Sequence, residues 1–133
     1  MRNCTLFLAT VAVALCACGC AQPPARRQAK TPALAHNVYF TLNDNSQAAC
    51  EKLVADCYKY LRDHPGVTFF AAGTLVEEHA REVNVRGWDV GLHIVFASKQ
   101  DHDRYQKAAD HLKFIELNRQ NWKTVHVYDT DVE

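Results

Sequence analysis

The strand-like segment Gly87–Phe96 holds two side chains that could take part in chemistry, Asp89 and His93. Strand alternation places both on one face. The opposite face carries only apolar residues: Trp88, Val90, Leu92, Ile94 and Phe96. Four residues along a strand span about 13 Å, so Asp89 and His93 cannot ligate one metal ion together. An imidazole can bind a ligand or transfer protons near neutral pH, so we predict that this face lines a ligand cavity.

Two further side chains extend this set. Tyr39 lies on the predicted first strand and His126 on the predicted last strand. We predict ligand contacts for four residues: Tyr39, Asp89, His93 and His126. The alternative for His93 is ordinary packing, with its ring nitrogens satisfied across a subunit interface. The orientation of the last strand stays open, because Trp122, Thr124, His126 and Tyr128 share one face and Val125 and Val127 the other.

The first 20 residues contain four of the six cysteines: Cys4, Cys16, Cys18 and Cys20. Arg2, an apolar run from about Thr5 to Leu15 and then small residues are typical of a secretory signal peptide. The run is shorter than the roughly 20 residues that a membrane-spanning helix needs. Leu15-Cys16-Ala17-Cys18 resembles the site at which bacterial lipoproteins are cleaved before a lipid-carrying cysteine. Ala17-Cys18-Gly19-Cys20 is the competing frame.

These features divide the chain into a signal peptide (1–17), a flexible tether (18–35) and a folded domain (36–130). The tether is rich in proline, alanine and polar residues and has nothing to bury. We expect an exported protein of the bacterial cell envelope, anchored to the membrane only through lipid on Cys18 or Cys20. Cleavage near Ala21 by ordinary signal peptidase is the alternative, and it would release a soluble secreted or periplasmic protein.

Composition excludes several functional classes. The chain has 133 residues, which suits one domain, and its 15 Lys and Arg balance 15 Asp and Glu. With a formal net charge of zero, the protein lacks the excess of positive charge that is typical of nucleic-acid-binding proteins. The sequence contains no phosphate-binding loop, nucleotide fingerprint or Ser-His-Asp set, so we predict neither a cofactor nor a metal site.

Hydrophobic periodicity predicts the element order β-α-β-β-α-β. Strands are expected at 37–42, 67–76, 87–96 and 121–129, with helices that begin near Ser46 and Ser98. The first helix carries an apolar stripe and ends at His64-Pro65-Gly66. The second helical region has a stripe of Tyr105, Ala108, Ala109, Leu112 and Ile115. This order is typical of an α+β, ferredoxin-like fold with a four-stranded antiparallel sheet and both helices on one face.

The other face of this sheet has no cover within the chain. It carries a mixture of apolar and polar residues: Tyr39, Thr41, Asp89, His93 and Val95. We therefore predict a homodimer in which a second copy covers this face. The remaining cysteines, Cys50 and Cys57, lie about 10.5 Å apart along one helix, beyond disulfide reach. We expect buried free thiols, with an intermolecular disulfide as the alternative.

From about His36 to Asp129 the sequence resembles the stress-responsive A/B barrel (Dabb) family of the dimeric α+β barrel superfamily. The resemblance rests on motifs in a fixed order: His36, Pro65-Gly66-Val67, Gly87-Trp88-Asp89, Tyr105 with His111 six places later, Phe114 and the closing strand WKTVHVYD. It implies that two four-stranded sheets face each other as a dimeric barrel.

Some family members resemble cofactor-free polyketide cyclases, in which a His and a Tyr act on a bound phenolic or polyketide chain. The resemblance assigns these catalytic roles to His111 and Tyr105. The family usually has His-Pro-x-His where this chain reads Ala108-Ala109-Asp110-His111, which favours a continuous helix, although Asp110 could begin a new one. In a continuous helix the two side chains would lie about 120° apart in azimuth and about 9 Å apart in height. The structural alternative is a His111 that packs at a helix junction and bonds a carbonyl.

Two functions follow from these observations. The first is an envelope-anchored homodimeric barrel with a binding or stress-response role and a small hydrophobic or aromatic ligand. The alternative is a small cofactor-free enzyme, polyketide-cyclase-like or monooxygenase-like, that uses the His/Tyr pair. A cavity of about 300 Å³ or more that reaches His111 would favour an enzyme or ligand binder.

His102, between Asp101 and Asp103, is expected at a solvated helix start.

Overall fold

The computed structural model describes residues 32–133. The predicted signal peptide, the lipidation site at Cys18 or Cys20 and most of the predicted tether lie outside the described residues. Within residues 32–133, no helix combines the length and hydrophobicity that crossing a membrane requires.

The described residues form one antiparallel sheet and three α-helices. In chain order the elements are β1 (Ala33–Leu42), α1 (Gln47–Tyr60), β2 (Val67–Thr74), β3 (Val90–Phe96), α2 (Lys99–Gln106), α3 (Ala109–Asn118), a short 3₁₀ turn (Arg119–Asn121) and β4 (Trp122–Val132). The strand order in the sheet is β2-β3-β1-β4, with antiparallel neighbours throughout. The predicted ferredoxin-like architecture is confirmed. Strand structure extends beyond the predicted 36–130 domain at both ends, so residues 33–35 belong to β1 and not to a tether.

Alternation along the two central strands sets the core. β1 alternates between buried and half-buried residues along its whole length, and every even-numbered residue of β3 is buried. The helix α1 covers this inner face of the sheet with Cys50, Leu53 and Cys57. One member of the buried β1 series is polar, since His36 occupies the position between Leu34 and Val38.

Local capping explains where the helices begin. Ser46 Oγ accepts a hydrogen bond from the Ala49 backbone N–H, and Ser98 Oγ accepts one from Asp101 N–H. After α1 the chain turns at Gly66, whose φ of 88° lies in the left-handed region. A Cβ at Gly66 would overlap the Asp101 side chain. This close approach packs the first turn of α2 against the turn that leads into β2.

The second helical region is not continuous. The chain leaves α2 after Gln106, passes through extended backbone at Ala108 (φ −69°, ψ 143°) and begins α3 at Ala109. The predicted apolar stripe is wrong at Leu112, which is 54% exposed, whereas Tyr105 is buried and Ile115 packs against the core as predicted. Phe114, which the stripe left out, is buried. Tyr105 and Phe114 are nine residues apart, which places them on opposite sides of an unbroken helix. The break allows both rings to enter the core.

The register of β4 settles its orientation. Tyr39 pairs with His126 and Asn37 with Tyr128, so His126 and Tyr128 lie on the outer face of the sheet, opposite the helices. A bulge then shifts the register, because Thr41 pairs with Thr124 but Leu42 pairs with Trp122. The extra residue moves Trp122 to the inner face, where its ring centroid lies 5.3 Å from that of Phe40. The expectation that Trp122 and His126 share one face of β4 is therefore wrong.

Candidate functional site

A pocket of about 180 Å³ lies between the helices and the inner face of the sheet. We call it the inner pocket. Its polar lining comes from His36, Tyr105, Gln106 and His111. Its apolar lining includes Val38, Phe40, Leu92, Phe114, Ile115, Trp122, Val125 and Val127. A few polar groups in an apolar cleft are the usual composition of a small-molecule site.

Tyr105 and His111 meet on one wall of this pocket. Their ring centroids are 4.4 Å apart, because the break after α2 turns α3 back toward Tyr105. The wide separation expected of a continuous helix is therefore wrong. His111 Nδ1 lies 3.1 Å from the Gln106 carbonyl oxygen, which can only accept a hydrogen bond. Nδ1 thus carries the hydrogen, and in the neutral ring Nε2 keeps a lone pair.

His36 forms a second polar pair at the pocket. Its Nδ1 lies 2.7 Å from Asp129 Oδ1, and the two residues are direct neighbours across β1 and β4. Sequence reasoning did not include either residue among the candidate site residues. The available signal was a histidine on the buried face of β1, in register with Val38 and Phe40. Asp129 gave no such signal, because its partner lies 93 positions earlier in the chain.

Histidines surround the Tyr105 ring. The ring centroid of His64 lies 5.0 Å from that of Tyr105, and the centroids of His36 and His102 lie 6.1 Å and 6.4 Å away. The prediction of a solvated His102 is wrong, because its side chain is only 14% exposed and its ring packs 5.0 Å from His36. The first turn of α2 lies over β1 and β3, which covers this imidazole.

Burial sets the protonation of the pocket. It lowers the pKa of His36, although the hydrogen bond to Asp129 acts in the opposite direction. Burial also lowers the pKa of His111. Repulsion from the neighbouring histidines acts in the same direction, whereas the hydrogen bond to the Gln106 carbonyl acts in the opposite one. Burial raises the pKa of Tyr105. Near neutral pH the pocket therefore holds neutral imidazoles, which can accept a proton, beside a protonated phenol, which can donate one.

Trp122, which lines the inner pocket, carries a further donor. Trp122 Nε1 is the one buried side-chain polar atom in residues 32–133 that has no hydrogen-bond partner. A buried N–H without a partner is costly, and a ligand oxygen would satisfy it. We regard Trp122 as a candidate ligand contact that became recognisable only once the bulge had placed it on the inner face.

The opposite side of the sheet, which we call the outer face, holds three of the four predicted ligand-binding residues. The ring centroids of Tyr39 and His93 are 5.7 Å apart, and His126 is the strand neighbour of Tyr39. His93 Nδ1 lies 2.8 Å from Asn37 Oδ1. A depression of about 630 Å³ on this face is lined by residues that include Tyr39, Trp88, His126 and Tyr128.

Asp89 lies apart from this group. Its Oδ2 accepts a hydrogen bond of 2.7 Å from the Leu42 backbone N–H, and its Oδ1 lies 3.4 Å from Asn45 Nδ2. These bonds hold the end of β1 and the turn before α1. The structure therefore gives Asp89 a role in the turn.

The two cysteines of α1 are buried free thiols, as their spacing predicts. Burial raises the pKa of Cys57 to about 12. The reactive form of cysteine is the thiolate, so Cys57 has no nucleophilic character near neutral pH.

Comparison with known proteins identifies the family. Residues 34–132 match the Dabb family, the stress responsive A/B barrel domain. The chain belongs to this family. No curated protein sequence matches the chain.

Solved structures share the fold of this Dabb domain. A Dabb family protein with a ferredoxin-like fold from Mesorhizobium loti is 22% identical, aligns over 75% of this chain and 96% of its own, and has a TM-score of 0.63. A dimeric ferredoxin-like protein of unknown function from Thermobifida fusca is 14% identical over 80% and 97%, with a TM-score of 0.65. A hydroxynitrile lyase from Passiflora edulis is 16% identical over 77% and 94%, with a TM-score of 0.63.

The break between α2 and α3 suits proline even though this Dabb domain has alanine there. Ala109 is the first residue of α3, and the extended backbone of Ala108 is the conformation that a following proline requires. We expect Ala109→Pro to leave the fold intact and to raise the free energy of unfolding by about 0.4–1 kcal/mol. Urea denaturation followed by circular dichroism measures the change.

The matched control is Ala55→Pro, which places proline inside α1. This substitution removes a helical hydrogen bond and should cost about 3 kcal/mol or more. Equal losses of unfolding free energy in the two variants would show that Ala109 does not begin a separate helix.

Proposed function

We propose that this Dabb protein is a cofactor-free acid–base enzyme that acts in the inner pocket on a small, largely apolar molecule bearing a carbonyl group. The main observation behind the proposal is that the ring centroids of Tyr105 and His111 lie 4.4 Å apart on the wall of an apolar pocket. The pocket reaches His111, but its volume of about 180 Å³ lies below the cavity of about 300 Å³ or more expected of an enzyme or ligand binder. Its size favours a substrate with a single substituted ring.

The roles follow from the protonation of the pocket. Neutral His111 removes a proton from the carbon next to the substrate carbonyl, using its Nε2 lone pair. The electron pair left on that carbon moves onto the carbonyl oxygen. The Tyr105 hydroxyl donates a hydrogen bond to this oxygen as its negative charge develops. Return of the proton from His111 completes the cycle, so the reaction needs no other reagent.

His36 and Asp129 support this chemistry from the adjacent strand pair. Asp129 accepts the Nδ1 hydrogen of His36 and holds the ring in one orientation. Burial, together with repulsion from neighbouring imidazoles when they are protonated, lowers the pKa of His111 and so keeps it available as a base. One structural relative is named a hydroxynitrile lyase, which is consistent with small hydroxyl-bearing or carbonyl-bearing substrates on this fold.

Deuterium exchange tests the proton transfer without knowledge of the natural substrate. We expect the protein in D₂O to accelerate loss of the α-proton signal of phenylacetone in NMR spectra. His111→Ala should slow this exchange by about 10²–10⁴-fold, the usual contribution of a general base. Tyr105→Phe should also slow it, because the oxygen loses its hydrogen-bond donor.

His79→Ala is the matched control, because His79 is an exposed histidine in the loop between β2 and β3. It should exchange at the wild-type rate. A His111→Ala protein that is folded and as fast as wild type would refute the proposed role.

We further propose that the protein is a homodimer in which a second copy covers the outer face. This face exposes large apolar and aromatic side chains, among them Phe69 and Tyr128. The dimeric relative from Thermobifida fusca supports the proposal through its shared fold. Covering exposed apolar surface is the usual driving force for such association.

A charge on the outer face should separate the subunits. Phe69 is 55% exposed on this face, and we expect Phe69→Glu to shift the protein from dimer to monomer. Leu112→Glu is the matched control, because Leu112 is 54% exposed but lies on α3. Size-exclusion chromatography with light scattering gives the mass of each. A wild-type monomer at high concentration, or two variants that behave alike, would contradict this interface.

A second candidate function is the binding of an aromatic ligand on the outer face. The depression of about 630 Å³ there falls in the size range of ligand sites, and its lining includes Tyr39 and His126. A ligand in this depression should change the fluorescence of Trp88, which forms part of its wall. An unchanged Trp88 signal in the presence of a bound aromatic ligand would exclude this location.

We also propose that the protein is exported to the cell envelope and carries lipid on Cys18 or Cys20. The proposal rests on the apolar run and the cysteine-containing cleavage frames near residue 18. Mass spectrometry of the mature protein from membranes should find a diacylated N-terminal cysteine. A free amine at Gln22 would instead indicate ordinary cleavage after Ala21 and a soluble product.

A further inference from the structure

Three side chains with metal-binding chemistry meet beside the inner pocket, and each comes from a different element. They are His36 on β1, His102 on α2 and Asp129 on β4. Each offers one ligand atom, and these atoms lie within 4.8 Å of one another. We propose that His36, His102 and Asp129 bind a divalent transition-metal ion.

The donor set suits such an ion. Two imidazole nitrogens and one carboxylate oxygen are a common protein contribution to zinc sites that keep an open coordination position. The same combination occurs in iron(II) sites. Imidazole favours these metals over magnesium or calcium, which prefer a shell of oxygen ligands. Zinc is therefore the probe of choice.

The ligands are positioned by rigid parts of the fold. His36 and Asp129 are paired residues of neighbouring strands, with Nδ1 and Oδ1 2.7 Å apart. His102 lies in the first turn of α2, which Ser98 caps. An ion with bonds of about 2.0–2.1 Å in tetrahedral geometry separates its ligands by about 3.4 Å. Small side-chain rotations suffice to bring the three atoms to this spacing.

The surroundings favour a cation and give it a path of entry. The Asp129 side chain is 46% exposed, whereas those of His36 and His102 are 6% and 14% exposed. An ion can therefore reach Asp129 from solvent and become enclosed by the imidazoles. Asp103 adds a second carboxylate, 3.7 Å from His102 Nδ1.

The metal site does not depend on the proposed enzymatic function. His111 and Tyr105 are not among the three ligands. An ion bound to His36 would lie close to Tyr105, whose ring centroid is 6.1 Å from that of His36. Metal binding would then place positive charge beside the pocket.

Calorimetry with zinc chloride tests the site directly. The full-length protein is treated with EDTA, and its accessible thiols are alkylated so that the N-terminal cysteines do not compete. We expect one ion per chain. His102→Ala and Asp129→Asn should each weaken binding by at least about tenfold. His79→Ala should bind like wild type, because His79 is an exposed histidine in the loop between β2 and β3.

Cobalt(II) gives an independent readout of coordination. Bound cobalt should produce visible absorption bands that disappear in His102→Ala and persist in His79→Ala. Circular dichroism confirms that the variants are folded. Zinc binding well below one ion per chain, or equal affinity of His102→Ala and His79→Ala, would overturn the proposal. His111→Ala separates the two proposals, because it should slow deuterium exchange by about 10²–10⁴-fold yet bind zinc with wild-type affinity.

Discussion

One packing constraint shapes the functional part of this protein. Tyr105 and Phe114 must both enter the core from the segment between β3 and β4, although their spacing places them on opposite sides of a continuous helix. The chain meets the constraint by breaking the helix at Lys107 and Ala108. The same break turns His111 onto the Tyr105 ring and leaves a pocket beside them. The candidate chemistry is therefore a consequence of how the second helical region covers the sheet.

Burial then gives the pocket its chemical character. An imidazole among apolar side chains resists protonation, and a buried phenol resists ionisation, so one region holds proton acceptors and a proton donor at the same pH. His36 and Asp129 add a fixed polar pair because β1 and β4 place them side by side. The β-bulge adds the Trp122 indole to the same wall. These groups come from four elements of the Dabb fold, β1, α2, α3 and β4.

The two faces of the sheet serve different purposes. The inner face is closed by the helices and holds the histidines, the tyrosine and the inner pocket. The outer face carries aromatic and small polar side chains with no covering element among residues 32–133, and it suits association with a second copy. His36 connects the inner-face features, since it contacts Asp129, His102 and Tyr105. A histidine in this position can serve proton transfer or metal binding, but an ion would compete with the proton.

The sequence by itself determined the strands, the helix starts at Ser46 and Ser98, the turn at Gly66 and the α+β order, because periodicity, capping and glycine conformation act over a few residues. It also indicated the Dabb family and the pair Tyr105 and His111. Only the tertiary structure decided the helix break, the orientation of Trp122 and the grouping of His36 with His102 and Asp129. These features depend on competition for core space and on strand register, which join residues as far as 93 positions apart. No local pattern encodes contacts of that range.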